Sequence, residues 1–351
     1  MNQLEQLYIA ATGMITPVGM STEMTAASIR AGISAYQDSV YINKNDKPIK
    51  TSWVPNEALP PLDEELMQYR LNGDVKRIIR LCHAGLNEVL QTVSIQEPLA
   101  LVLAGPENIP ARSTPIAPNI IEYLKLQTKF DFDMEASRYA GTGRAGVIEA
   151  INYAFKYLSQ EGNDCILVGG VDTFSNPGIL SRLDSENRVL ALGVSDGFAP
   201  GEGAGFLLLC KQYDISYLPV ALSLPGIAKE AGHLYAEDEP YMGEGLAKAF
   251  EKALIPVNDS KVERIYSSMN GENFFVKELG VASIRNAEKF SQSYEVIHPA
   301  DCYGDIGAAT GAVLLGVSAL DAIKSLKTGN QHLVYCSSDL EKRAAVCLTA
   351  I

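Results

Sequence analysis

The chain has no basic residue before Arg30, and its opening "MNQLEQLYIA" carries Glu5 instead. The basic stretch that begins a secretory signal is therefore missing, and the sequence predicts a cytoplasmic protein. Long apolar runs are missing too. The longest uncharged one, Ile306 to Leu320, falls short of the roughly 18 residues that span a bilayer and is interrupted by Gly307, Gly311 and Gly316. It reads as a buried helix. Positive charge is scarce, with 29 Lys and Arg against 42 Asp and Glu and a formal net charge of -13. Such a surface repels nucleic acid and anionic membranes, which excludes both as main partners.

The six cysteines, at 82, 165, 210, 302, 336 and 347, show no C-x-x-C spacing and no disulfide framework. Cys165, Cys210, Cys336 and Cys347 lie in apolar β-like runs, where a small buried thiol is inert. Cys302 stands apart in the polar segment "HPADCYGD". Nor do the histidines show metal-ligand spacing. His83, His233 and His332 read as helix-surface, loop and strand-edge residues, and neither metal nor cofactor is expected.

What is present is a large apolar fraction, 47%, with 29 glycines and 20% charged residues, the composition of a globular α/β protein with a sizeable core. Short branched runs recur between helical patterns: "LYIAATGMI", "ALVLAG", "CILVGGVDTF", "GAGFLLLC", "PVALSL", "RIYSSM", "HLVYC" and "AAVCLTAI". Strands alternating with helices predict sheets covered by helices. The segment 40 to 75 is rich in proline and charge and reads as a surface excursion. The following "KRIIR", with Lys76, Arg77 and Arg80, reads as a solvated helix face.

The plan occurs twice. "GTGRAGVIEAINYAFKYL" is echoed by "GDIGAATGAVLLGVSALDAIKSL", each a glycine-rich turn opening a helix and each followed by a strand. Two related halves, 1–215 and 216–351, are expected, with both glycine-rich helices packed centrally. The first turn, "SRYAGTGRAG", is built like an elbow presenting a nucleophile at a helix start, yet Ala140 at its expected tip can do no chemistry. Gly141 and Gly143 are expected to let the helix start close to the sheet.

Several of these segments resemble β-ketoacyl-acyl-carrier-protein synthases. "YIAATGMITPVG" resembles that family's opening strand and turn, "SDGFAPGEGAGFLLL" its DGF-x-x-GEGAG segment, and "RYAGTGRAGVIEAI" its nucleophile elbow. "GDIGAATGAV" is similar to its later GH-x-x-GAAGAV turn. The resemblance implies a thiolase fold of five layers, αβαβα. It also implies a cysteine and two histidines at the site, since a thiolate at a helix N-terminus needs imidazole partners. Here the cysteine position falls on Ala140, the first histidine on Ser268 or Asn270, and the second on Gly304 or Asp305. "YCSSDLEK" replaces the family's glycine-rich oxyanion turn.

With these features gone together, the resemblance implies a catalytically inactive protein. Shorter likenesses, in "MNGENFFVKELG" and "HPADCYGDIGAATG", are similar to degenerate thiolase-like proteins of type VI secretion effector modules. They imply an adaptor whose partner is an effector, a PAAR-type spike protein or another adaptor. The alternatives are a subunit like the chain length factors of ketosynthases, or an enzyme using Cys302 as a displaced nucleophile with His298 or Glu272 as base. A homodimer pairing through the edge strand "CILVGGVDTF" is expected. The old acyl tunnel is expected to be closed by Tyr139, Met269, Phe274 and Tyr303, with Arg144, Glu272 and Asp305 as a polar plug and Cys302 nearby.

Overall fold

The computed structural model describes residues 4–92, 98–112, 119–255, 261–325 and 330–351. The first half runs β1 (Gln6–Ile15), α1 (Thr22–Arg30), β2 (Gln37–Ile42), β3 (Pro48–Thr51), α2 (Gly73–Thr92), β4 (Leu101–Ala104) and α3 (Ile120–Thr128). It continues with β5 (Arg138–Ala140), α4 (Gly146–Leu158), β6 (Cys165–Thr173), α5 (Pro177–Ser185) and β7 (Glu202–Cys210). The second half runs β8 (Val220–Ser223), β9 (Gly226–Lys229), α6 (Glu244–Ala253), β10 (Val262–Ser267), α7 (Asn273–Arg285) and β11 (Phe290–Ile297). It ends with α8 (Ala300–Tyr303), α9 (Thr310–Lys324), β12 (Gln331–Ser337) and β13 (Lys342–Ala350).

Three apolar cores separate five layers. The outer helices α2 and α3 cover one face of β1, β7, β6 and β4, with Leu86, Leu124, Leu167 and Phe206 between them. On the other face lie the central helices α4 and α9, where Val147, Ile151, Val313 and Leu314 form the middle core. Beyond them β12, β13 and β10 make the second half-sheet, and α6 and α7 cover it through Phe250, Ile265 and Leu333. Strands buried on both faces need continuous apolar runs, which is why β6 and β7 read as "CILVGGVDT" and "EGAGFLLLC".

The half-sheets are not separate. They join through β8 and β1 into one sheet, ordered β11-β10-β12-β13-β8-β1-β7-β6-β4-β5, with β9 beside β13. The central helix from Gly307 to Lys324 is 18 residues long and apolar enough in composition to cross a membrane, somewhat longer than the sequence reading allowed. It is 83% buried inside the protein.

Four expectations are corrected. The strand "CILVGGVDTF" is not an edge: β6 lies between β4 and β7, and the strand at that end of the sheet is β5. Arg77 and Arg80 do not form a solvated face. Arg77 donates from Nε to Glu202 Oε2 (3.0 Å), and Arg80 donates to the Pro60 and Leu59 carbonyls (2.6 and 3.0 Å), so the pair ties the excursion onto α2. His332 is buried on β12 between β10 and β13, its Nδ1 3.0 Å from Ser318 Oγ; its polar neighbours in sequence, Asn330 and Gln331, hid the interior position of that strand. Cys165 and Cys210 are not free thiols. They face each other in the antiparallel β6–β7 ladder and form a disulfide.

Candidate functional site

The elbow is built by β4 and β5. These strands pair in parallel and set Ala140 opposite Ala104, after which the chain turns through a short 3-10 segment, Gly143–Ala145, into α4. The apex is Gly143, not Ala140. Gly143 is buried at φ +66, in the left-handed region that favours glycine, whereas Ala140 is exposed on the sheet edge. A Cβ on Gly143 would lie 2.9 Å from both Cβ and Oε2 of Glu107. Close packing of the helix on the sheet falls to Gly146, where a Cβ would meet that of Ala104 at 2.7 Å; Gly141 is exposed. The second glycine-rich turn repeats the geometry: Gly307 sits at φ +53, and a Cβ there would lie 2.0 Å from Asp172 Oδ2.

Around Gly143 a buried ionic network fills the space between the halves. Arg144 donates from Nε to both oxygens of Asp305 (3.1 Å each) and from Nη1 to Asp339 Oδ1 (2.6 Å). Arg188 grips Glu272 in a two-pronged pair (2.7 and 2.8 Å) and donates to Asp339 Oδ2 (2.8 Å). Asn270 bridges the two arms, its Nδ2 donating to Asp305 Oδ2 (2.8 Å) and Glu272 Oε2 (3.0 Å). Burial alone would raise the Asp339 carboxyl, but Arg144 and Arg188 hold it well below the usual carboxylate range. Burial likewise opposes the Arg144 charge, and Asp305 and Asp339 outweigh it. Aromatic rings flank both guanidiniums, Phe275 at 5.1 Å from Arg144 and Phe198 at 5.3 Å from Arg188.

Glu107, on the loop after β4, reaches across to the β12–β13 turn and accepts from the backbone N–H groups of Asp339 (2.9 Å) and Leu340 (3.2 Å). Burial and then the Asp339 carboxylate push its carboxyl up to about 7, against the opposing pull of Arg144 and the two N–H groups. Ser338 fastens the same turn to the elbow, donating to Thr142 O (2.7 Å) and accepting from Ala145 N (3.1 Å). Arg112 pairs with Asp172 (2.8 Å) alongside. The cavity bounded by Glu107, Arg112, Gly143, Arg144, Asp172 and Asp339 measures about 20 Å³, room for about one water.

Arg144, Asn270, Glu272 and Asp305 thus converge, while the other residues singled out from sequence do not. Between the alternatives left open, Asn270 rather than Ser268, and Asp305 rather than Gly304, lie in the cluster; Ser268 instead accepts from Ser337 N (3.0 Å). Tyr139 packs over Gly105 in the outer core, Met269 packs in the second outer core, and Phe274 meets Tyr241 in a tilted pair with ring centroids 4.9 Å apart. Tyr303 is buried in the middle core. Cys302 is buried in α8, and burial followed by Asp301 raises its thiol, the opposite of what a nucleophile needs. His298 is exposed and lies 3.2 Å from Asp301. Sequence reasoning missed Arg188, Asp339 and Glu107. Asp339 lay in the segment noted as a lost oxyanion turn, but nothing in the sequence around the other two marked them.

No family model matches the chain, and no curated protein matches it. Among solved structures it is similar to a chain of a ketosynthase in complex with its chain length factor from Xenorhabdus doucetiae, at 16% identity over 100% of this chain and 99% of that one, with TM-score 0.77. It is similar to the ishigamide ketosynthase/chain length factor at 14% identity, over 99% of both chains, with TM-score 0.75. It also resembles the ketosynthase from module 6 of the bacillaene synthase of Bacillus subtilis 168, at 11% identity over 99% of this chain and 72% of that one, with TM-score 0.78. Likenesses at such identities are likenesses of fold: the chain carries the thiolase-like ketosynthase fold.

Proposed function

We propose that this chain is a non-catalytic subunit that uses the ketosynthase fold to bind a protein partner, in the manner of a chain length factor beside its ketosynthase. One observation carries the reading. The elbow apex is a glycine, and the space before it holds the Arg144, Arg188, Asp305, Asp339, Glu272 and Asn270 network in place of a thiol and imidazoles. Acyl transfer needs an activated nucleophile beside a base, with room for the reacting carbon. A saturated ion cluster offers none of these. Two of the structures of similar fold are ketosynthase and chain length factor pairs, which favours this partner over the secretion effector suggested by sequence likeness. The secretion-adaptor reading rests on that likeness alone.

Two measurements test the proposal. Incubated with acyl and malonyl thioesters of a carrier protein, the chain should keep its intact mass; an adduct on any cysteine, Cys302 included, overturns the non-catalytic part. Co-expressed with a ketosynthase from its own gene neighbourhood, it should elute as a heterodimer. Elution apart from every such ketosynthase overturns the partner part. Ala140→Cys should restore no activity, since that position lies exposed on the sheet edge, away from the cluster.

A further inference from the structure

Glu107 has a position unlike that of the other acids in the cluster. Asp305, Asp339 and Glu272 each meet a guanidinium, but Glu107 meets two backbone N–H groups and has the Asp339 carboxylate as its neighbour. Two arginines already face three carboxylates there, so ionising Glu107 adds a fourth negative charge to a buried site with room for about one water. The side chain also joins the two halves, running from the loop after β4, past the missing Cβ of Gly143, to the β12–β13 turn. We propose that Glu107 is a proton-dependent latch, closing the β12–β13 turn onto the elbow while it carries its proton and biased open as it ionises.

The charged groups around it are all accounted for. Its own loop contributes Arg112, held by Asp172 from the end of β6. The elbow contributes Arg144, held by Asp305 and Asp339. On the turn, Glu341 pairs with Lys229 and Lys342 with Glu149, both directed elsewhere, while Arg343 pairs with Glu278 and donates to the Ser338 and Leu340 carbonyls (2.8 and 2.6 Å). None of these cations is left over to neutralise a second carboxylate beside Asp339. With its proton in place, Glu107 is neutral beside the Asp339 carboxylate and its carbonyl oxygen still accepts an N–H bond. Without it, the open form gains because the carboxylate reaches water, where its charge is solvated. The neutral-range midpoint noted above fits that direction, since a group that protonates more readily when buried favours the closed form as pH falls. This inference stands independently of the proposed partner role.

The chain supplies its own reporter. Trp53, its single tryptophan, and Leu340, on the latched turn, pack against the same apolar cluster of Ile49, Ile109, Phe174 and Phe198. Trp53 emission should therefore change as pH rises from about 4.5 to about 7, with one midpoint inside that window, and Glu107→Gln, locked neutral, should abolish the change. Amide exchange at residues 338–341, corrected for its intrinsic pH dependence, should rise by up to about tenfold per pH unit between the ordinary glutamate value of 4.5 and about 7, the limit for one linked proton, and level off above that. A flat exchange profile in the wild-type protein overturns the proposal even if Glu107→Gln fails to fold. So does an unchanged midpoint in a folded Glu107→Gln.

Discussion

At the scale of single residues, the cluster is held by paired charges whose value depends on every partner being present. Asp339 takes one guanidinium on each oxygen, so Asp339→Asn leaves two buried arginines short of a counter-charge. Removing one partner of a buried ion pair costs about 3–5 kcal/mol, and urea denaturation of Asp339→Asn should show a loss of that size. Gly143→Ala should cost about 1–3 kcal/mol, because alanine must hold a left-handed conformation while its methyl meets Glu107. His332 supplies a pH dependence of the opposite sign to Glu107. Burial, then Arg264, lowers its imidazole to about 4 from an ordinary 6.5. Its stabilising contribution is complete above the unfolded value of about 6.5 and is lost as pH falls toward 4. Thermal unfolding between pH 7 and 4 should therefore show a smaller fall in Tm for His332→Gln than for the wild type. Glu107, raised rather than lowered, favours the folded state below its unfolded value and loses that contribution as pH rises through 7.

At the scale of elements, the sequence was most legible where burial is complete. The runs read as strands correspond to β1, β4, β6, β7, β8, β10, β12 and β13, since a strand covered on both faces must be apolar throughout. The strands that went unread are short or marginal: β2, β3, β5, β9 and the half-exposed β11, "FSQSYEVI", whose polar residues face solvent at the end of the sheet. Site legibility divided in the same way. Arg144 and Asp305 lie within glycine-rich turns that mark themselves, whereas Arg188 and Glu107 come from ordinary loops, brought in only by tertiary folding. Cross-strand register was invisible as well, and with it the Cys165–Cys210 bond, which closes a loop with a sequence separation of 45. In the chain-entropy view such a link is worth about 3–5 kcal/mol. A thiol reductant should lower the Tm, and alkylation under denaturing conditions should label four cysteines before reduction and six after. Six labelled without reductant would refute the bond.

At the scale of the whole molecule, the formal charge of -13 contrasts with an interior cluster in which acids and arginines are paired. Added salt should screen the surface self-repulsion and raise the Tm, while leaving the effect of Asp339→Asn nearly unchanged, because buried pairs are screened far less. A double measurement at low and high salt separates the two; an Asp339→Asn loss that vanishes in salt would place the cluster in contact with solvent. The joining of the half-sheets has a further consequence, for the order in which the molecule is made. Leu7 of β1 and Leu348 of β13 both pair with Leu222 of β8, so the seam binds segments from opposite ends of the described chain. During synthesis the strands up to β7 leave the ribosome first and can associate, but one flank of β1 stays bare until β8 follows. β8 in turn waits for β13. Such distant pairings are reached slowly, and the nascent protein spends that interval with unsatisfied backbone along its middle, dependent on whatever shields an open strand until translation delivers the closing one.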